Sequence, residues 1–183
     1  MGLLHLFKND LNGFFPKELS TCTQLKELRL NTNKLEGLIP FELHQLQHLS
    51  LLHLFENLLN DSIPKELHNC TQLIGLKLNT NQLYGSIPLE LGHLQYLQLF
   101  HLSKNMLSGY ITKELSYCKN MTKLKLNTII LRGLFHQEIW NSLNGTIHVD
   151  ILQLDNLEEV LLYKNNPVEN ILVAISNLKR LEY

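Results

Sequence analysis

One alanine in 183 residues is the first oddity of this chain. Alanine is the best helix former, so a helical bundle would use it freely. The chain instead carries 19 asparagines, which favour turns over helix interiors. Long apolar runs are also missing. A bilayer crossing needs roughly 18–20 consecutive apolar residues, and Ile171-Leu172-Val173-Ala174-Ile175 is the most apolar late stretch. The opening residues Met1 to Lys8 lack the basic segment and long apolar core of a signal peptide. Charge is scarce, at 18% of residues and net −1, so there is no basic surface for nucleic acid and none is expected as a partner. No Gly-x-Gly-x-x-Gly, phosphate-binding loop or kinase signature occurs. His44-Gln45-Leu46-Gln47-His48 imitates a helical zinc site, but Gln stands where the Glu base belongs. No enzyme activity, catalytic residue, metal or cofactor is therefore expected.

What the chain does have is leucine, 44 times, in fixed slots. Leu25-x-x-Leu28-x-Leu30-x-x-Asn33-x-Leu35-x-Gly37-x-Ile39-Pro40 recurs every 24 residues, in register, from Met1 to about Cys118. Leu-x-Leu has the two-residue period of a strand with one buried face, so successive coils should stack these strands into a parallel sheet. Asn9, Asn33, Asn57, Asn81 and Asn105 form a column, with Asn165 at the same slot of a later coil. These side chains are expected to be buried and to satisfy backbone groups at the bend after each strand. Gly13, Gly37, Gly85, Gly109 and Gly133 mark a turn. Asp61 interrupts that column, and Asp tolerates left-handed backbone better than most residues. Pro16, Pro40, Pro64 and Pro88 should stiffen the convex return. A 48-residue period overlies the shorter one and places Cys22, Cys70 and Cys118 two coils apart. At about 4.8 Å per strand that is about 9–10 Å, too far for a disulfide. Three buried free thiols are expected.

This frame is identified as a leucine-rich repeat. The Leu-x-Gly-x-Ile-Pro segments (Leu35 to Pro40, Leu83 to Pro88) resemble the plant extracellular subtype, found in the ectodomains of receptor-like kinases and receptor-like proteins. The resemblance implies an α/β solenoid: a right-handed superhelix with a parallel sheet on its concave face and irregular or 3-10 convex returns. It further implies a non-catalytic recognition module, binding a peptide or protein ligand on the concave face, with a co-receptor ectodomain as a further partner. Any serine/threonine kinase domain would lie elsewhere in a parent protein. The implied location is the extracellular face of the plasma membrane, with no membrane contact by this segment itself. The alternative is a truncated non-functional remnant or a cytosolic protein-interaction scaffold. Plant ectodomains are normally capped by paired-cysteine flanks, which this chain lacks, so it reads as a fragment.

Three stretches follow from the register. Residues 1–132 hold about five and a half regular coils. The frame breaks over 133–156, where Asn141 to Ile147 matches only the middle of a coil. A degenerate, truncated coil runs over 157–183. The break reads either as a ligand-binding island or as an internal deletion; known islands add sequence, whereas this one lacks a strand-bearing half.

Between the two strand leucines stand His5, Arg29, His53, Lys77, His101 and Lys125. Alternation turns them to the concave face, where like charges about 5 Å apart repel by roughly 0.8 kcal/mol in water-like dielectric. The histidines should therefore prefer to be neutral. One column over, Phe7, Phe55 and Tyr163 alternate with Asn31, Asn79 and Asn127. Aromatics beside a basic ladder suit a peptide with acidic groups or a free carboxylate; the rival is a solvated position copied by duplication. Several plant peptide receptors use an Arg-x-Arg pair on this face, but here the stretch is Arg29-Leu30-Asn31 and the second Arg is absent. Four N-glycosylation sequons begin at Asn60, Asn69, Asn120 and Asn144, all expected outside the strands.

Overall fold

The computed structural model describes residues 2–127 and 154–163. A three-residue strand is centred on the first position of each Leu-x-Leu, too short to be stable alone and held by the strands beside it. These strands are β1 (Leu3–His5), β3 (Glu27–Arg29), β5 (Leu51–His53), β7 (Gly75–Lys77), β9 (Leu99–His101), β11 (Lys123–Lys125) and β12 (Glu159–Leu161). They stack in that order as one parallel sheet. β12 pairs directly with β11, Lys123 to Glu159 and Lys125 to Leu161, although 36 residues separate the partners. Most of the predicted register break, 133–156, lies outside the described residues.

A second sheet was not foreseen. β2 (Asn12–Phe14), β4 (Lys34–Gly37), β6 (Leu58–Asp61), β8 (Gln82–Gly85) and β10 (Met106–Leu107) pair in parallel on the flank of the stack. The glycine turn lies in or beside these strands, where Gly13, Gly37, Gly85 and Gly109 have φ of 77 to 88° and Asp61 has φ 75°. The missing cue is length: two to four residues carry no period to read. Each return is a single 3-10 helix: η1 (Lys17–Thr21), η2 (Phe41–Gln45), η3 (Lys65–Asn69), η4 (Leu89–His93) and η5 (Lys113–Tyr117). Pro16, Pro40, Pro64 and Pro88 precede the first four, with φ between −74 and −61°. The ring pre-sets the entry into the return and removes an N–H that the first turn could not have paired.

The core is one column of side chains per slot. Leu28, Leu52, Leu76, Phe100 and Leu124 are fully buried beneath the main sheet. Each buried Leu is worth roughly 1.5–3 kcal/mol, gained only when the next coil covers it. The asparagine column closes the bend. Asn57 donates from Nδ2 to the carbonyls of Leu30 and Leu54, both at 3.0 Å, and its Oδ1 accepts the Leu35 N–H at 3.0 Å. Asn33, Asn81 and Asn105 repeat this pattern. Each asparagine thus ties its own coil to the preceding one. Asn9 in the edge coil is exposed and, among the described residues, bonds only within its own bend, and Asn165 lies outside the described residues. The residue before each of these asparagines, Lys8, Thr32, Glu56, Thr80 or Lys104, sits at φ of 56 to 64°.

The thiols divide. Cys70 and Cys118 are buried, and burial pushes each up to about 12. Cys22 is exposed, against expectation, because it lies in the edge coil of the described residues, where no described coil packs over its first side.

Candidate functional site on the concave sheet

In-register pairing sets His5 beside Arg29, Arg29 beside His53, His53 beside Lys77, Lys77 beside His101 and His101 beside Lys125. The column ends at Leu161. Backbone bonds continue the same phase past the strands, with the Thr32 N–H donating to the Phe55 carbonyl at 2.9 Å. This carries Phe7, Phe55 and the Asn slots alongside. Phe7 and Tyr163 are exposed and Phe55 is half-buried, whereas Asn31, Asn79 and Asn127 are buried.

The ladder is not uniform. At one end Glu27 Oε2 lies 2.9 Å from both Arg29 Nη2 and His5 Nε2. At the other, Glu159 Oε1 lies 2.7 Å from Lys125 Nζ and Oε2 3.8 Å from Lys123 Nζ. Sequence reasoning missed these two acids, although Glu27 and Glu159 occupy the slot two residues before the ladder and alternation turns that slot to the same face. In the centre, among the described residues, no carboxylate pairs with His53, Lys77 or His101. Lys77 Nζ instead stands 5.9 Å from the Phe55 ring centroid.

The centre is also drier than a solvated face. His53 is only 9% exposed. Its ring folds over Gly75, where a Cβ would lie 2.8 Å from Leu51 Cδ2 and 3.7 Å from His53 Nε2. Burial first, then the charges of Lys77 and Arg29, pushes His53 down to about 4, with Glu27 opposing. Burial first, then Lys125 and Lys77, pushes His101 down to about 4, with Glu159 opposing. Both rings are therefore neutral near neutral pH, and repulsion is the smaller cause. Burial and the charges of Arg29, Lys125 and Lys123 lower Lys77. His53 Nε2, Asn79 Oδ1 and Arg29 Nε are buried without a hydrogen-bond partner among the described residues. Unpaired buried polar atoms are uncommon in folded proteins and call for an explanation.

The remaining candidates lie elsewhere. Asn60 falls inside β6 rather than outside the strands, but β6 belongs to the flank sheet and Asn60 is exposed. Asn69 ends η3 and is exposed; Asn120 is exposed and donates from Nδ2 to the Gln95 carbonyl at 2.7 Å. Asn144 lies outside the described residues. A groove of about 840 Å³ runs along the flank, past Leu38, Phe41, Leu89 and Tyr110. Among the described residues no group of three potential metal ligands occurs, and no helix is long and apolar enough to cross a membrane.

No family model and no curated protein matches the chain. Solved structures do. The plant peptide hormone receptor RGFR1, in complex with RGF2, is 33% identical with TM-score 0.84 over 95% of this chain. The Arabidopsis receptor kinase HAESA, in complex with the peptide hormone IDA and the co-receptor SERK1, is 31% identical with TM-score 0.84 over 96%. The BIR2 ectodomain from Arabidopsis thaliana is 34% identical with TM-score 0.61, covering 74% of this chain and 70% of its own. This chain belongs to the leucine-rich repeat ectodomains of plant receptor kinases. It spans 26% of the RGFR1 chain and 27% of the HAESA chain, so it corresponds to a few coils of the larger ectodomains of this family. The concave ladder of this leucine-rich repeat segment sits on the sheet that all its coils share.

Proposed function

We propose that this segment is a non-catalytic recognition surface of a receptor ectodomain, displayed outside the plasma membrane and binding a peptide or protein ligand on its concave sheet. The observation that carries the reading is the centre of the ladder. Lys77 and two neutral histidines stand in register beside Phe55, with no counter-charge among the described residues. A folded protein gains nothing by keeping such a group half-buried and unpaired, whereas an acidic ligand would complete it. That solved relatives hold peptide hormones, and in one case a co-receptor, supports the same reading. Exposed sequons at Asn60, Asn69 and Asn120, away from the main sheet, would leave this face clear if glycosylated. The test is a panel of short acidic, neutral and basic peptides against the wild-type chain and a His53→Glu, Lys77→Glu variant. Acidic peptides should bind the wild type and lose at least about tenfold in affinity in the variant, the loss expected for one buried charge contact. Equal binding to both proteins would refute the reading.

A further inference from the structure

The six-residue ladder is better described as one seat between two ends that carry carboxylates. Glu27 pairs with Arg29 and Glu159 is shared by Lys123 and Lys125, so Lys77 is the ladder cation with no carboxylate partner among the described residues. Around it are the rings of His53 and His101, the apolar pair Leu51 and Leu99 flanking the side-chain-free Gly75, and the Phe55 ring. One polar atom at this centre, His53 Nε2, has no partner among the described residues, and His53 is 9% exposed. We propose that a ligand carboxylate seats on Lys77 between His53 and His101, and that its arrival protonates these two rings. The inference rests on the reading of the concave face as a ligand surface, and it adds how that surface responds to pH.

The electrostatics are closed around each ring. His53 faces Lys77 on one side and Arg29, Glu27 and His5 on the other. His101 faces Lys77 on one side and Lys125, Glu159 and Lys104 on the other. In the free protein, burial and the neighbouring cations keep both rings neutral until about pH 4. A carboxylate between them supplies the missing negative charge and an acceptor for a ring N–H, so each proton is held more tightly in the bound state. The sign follows from linkage. A group whose proton affinity rises on binding adds ligand affinity at pH below its bound-state value, and loses that gain as pH rises through it. The added affinity reaches at most about tenfold per pH unit for each proton taken up. Acidification from neutrality should therefore tighten binding of an acidic ligand, until the ligand's own carboxylates protonate near pH 4.

The test uses two probes on the full chain. Acetyl-triaspartyl amide carries only side-chain carboxylates, and acetyl-triglycine carries only a chain-terminal one. Affinity is measured by NMR at about pH 5.5 and about pH 7.5, together with ring-proton titrations of His53 and His101, which read proton uptake directly. At least one probe should bind roughly tenfold or more tightly at the lower pH and raise both ring titrations by about two units, the shift that a tenfold gain shared by two rings requires. Which probe does so tells a side-chain carboxylate from a terminal one. Lys77→Gln should remove the binding, and His53→Gln with His101→Gln should leave weak binding that no longer varies with pH. Circular dichroism identical to wild type shows that each variant still folds. Equal affinity at both pH values, or unmoved histidine titrations in the bound state, overturns the seat. If acidic peptides are then still lost on charge reversal at His53 and Lys77, the concave-face reading stands without it. If charge reversal changes nothing, both fall.

Discussion

Asn57 is the sharpest test of how the stack is held. Its side chain makes three bonds of 3.0 Å to three backbone groups in two coils. Replacing it with Ala affects those groups unequally. The Leu30 carbonyl keeps a bond from Asn33 Nδ2 at 2.9 Å, and the Leu54 carbonyl keeps one from Asn81 Nδ2 at 3.0 Å. Each therefore loses one of two donors, worth about 0.5–1 kcal/mol. The Leu35 N–H loses its acceptor altogether in a buried site, which costs about 1–3 kcal/mol. The expected total is about 3 kcal/mol. Asn9→Ala is the internal control, because Asn9 is exposed and, among the described residues, binds only carbonyls of its own bend; it should cost less than about 0.5 kcal/mol. Urea titration followed by circular dichroism measures both, and amide exchange at Leu35 should accelerate about a hundredfold in Asn57→Ala. Asn57→Asp separates hydrogen bonding from packing. The carboxylate keeps the Leu35 bond but turns its second oxygen towards two carbonyls, so it should be worse than Ala at neutral pH. Its proton affinity is then raised in the folded state, and the defect should shrink as pH falls towards about 4. If Asn57→Ala matched Asn9→Ala, the coils would be held by leucine packing alone and the hydrogen-bonded column would be incidental.

Two further outcomes check separate parts of the stack. Gly92→Ala should destabilise by about 1–3 kcal/mol in the same urea assay, because a Cβ there would overlap the Glu114 carbonyl oxygen, which is backbone and cannot swing aside. Gly85→Asn should be nearly neutral by comparison, since nothing lies closer than 3.6 Å and Asn tolerates the φ of +79°; equal losses would show that backbone conformation rather than coil spacing governs these glycines. A thiol reagent should modify Cys22 quickly in the folded chain and reach Cys70 and Cys118 only on unfolding, because the latter two are buried and pushed up to about 12. Three thiols reacting at one rate would mean that the interior column is open.

The coil was legible because its determinants are repeated. Leu28 and Leu30 alone would be an ambiguous pair; the same pair at Leu52 and Leu54 and at Leu76 and Leu78 identifies a strand and its buried side together. Asp61 was legible for the same reason, since the glycine column around it declares the backbone it must adopt. What escaped was carried by position rather than residue type. Lys8, Thr32, Glu56, Thr80 and Lys104 share a left-handed bend, yet none is a turn former, and Thr is a poor choice for it. In each coil the asparagine that follows donates back to the carbonyl three residues before it, and that bond holds the bend closed. Gly92 was illegible because its requirement comes from Glu114, in the next return, and not from its own turn.

For the candidate site the limit was different. Alternation placed the six ladder residues on one face, and pairing sets them side by side. Read as a column of charges, however, the ladder implied six equivalent positions. Two facts from the neighbouring slot break that equivalence: Glu27 and Glu159 give the ends carboxylate partners, and Gly75 lets His53 sink at the centre. A duplicated two-coil unit would alternate two residues at that slot; Leu3, Leu51 and Leu99 do repeat, whereas the coils between and after them hold Glu27, Gly75, Lys123 and Glu159. The slot that varies therefore sets the character of the slot that repeats. The centre keeps a half-buried cation over the Phe55 ring and between two neutral histidines, while two acids stand at the margins. Removing the acids should spread the positive charge back along the sheet, so the contrast between centre and ends, more than the number of basic residues, is what a ligand would read.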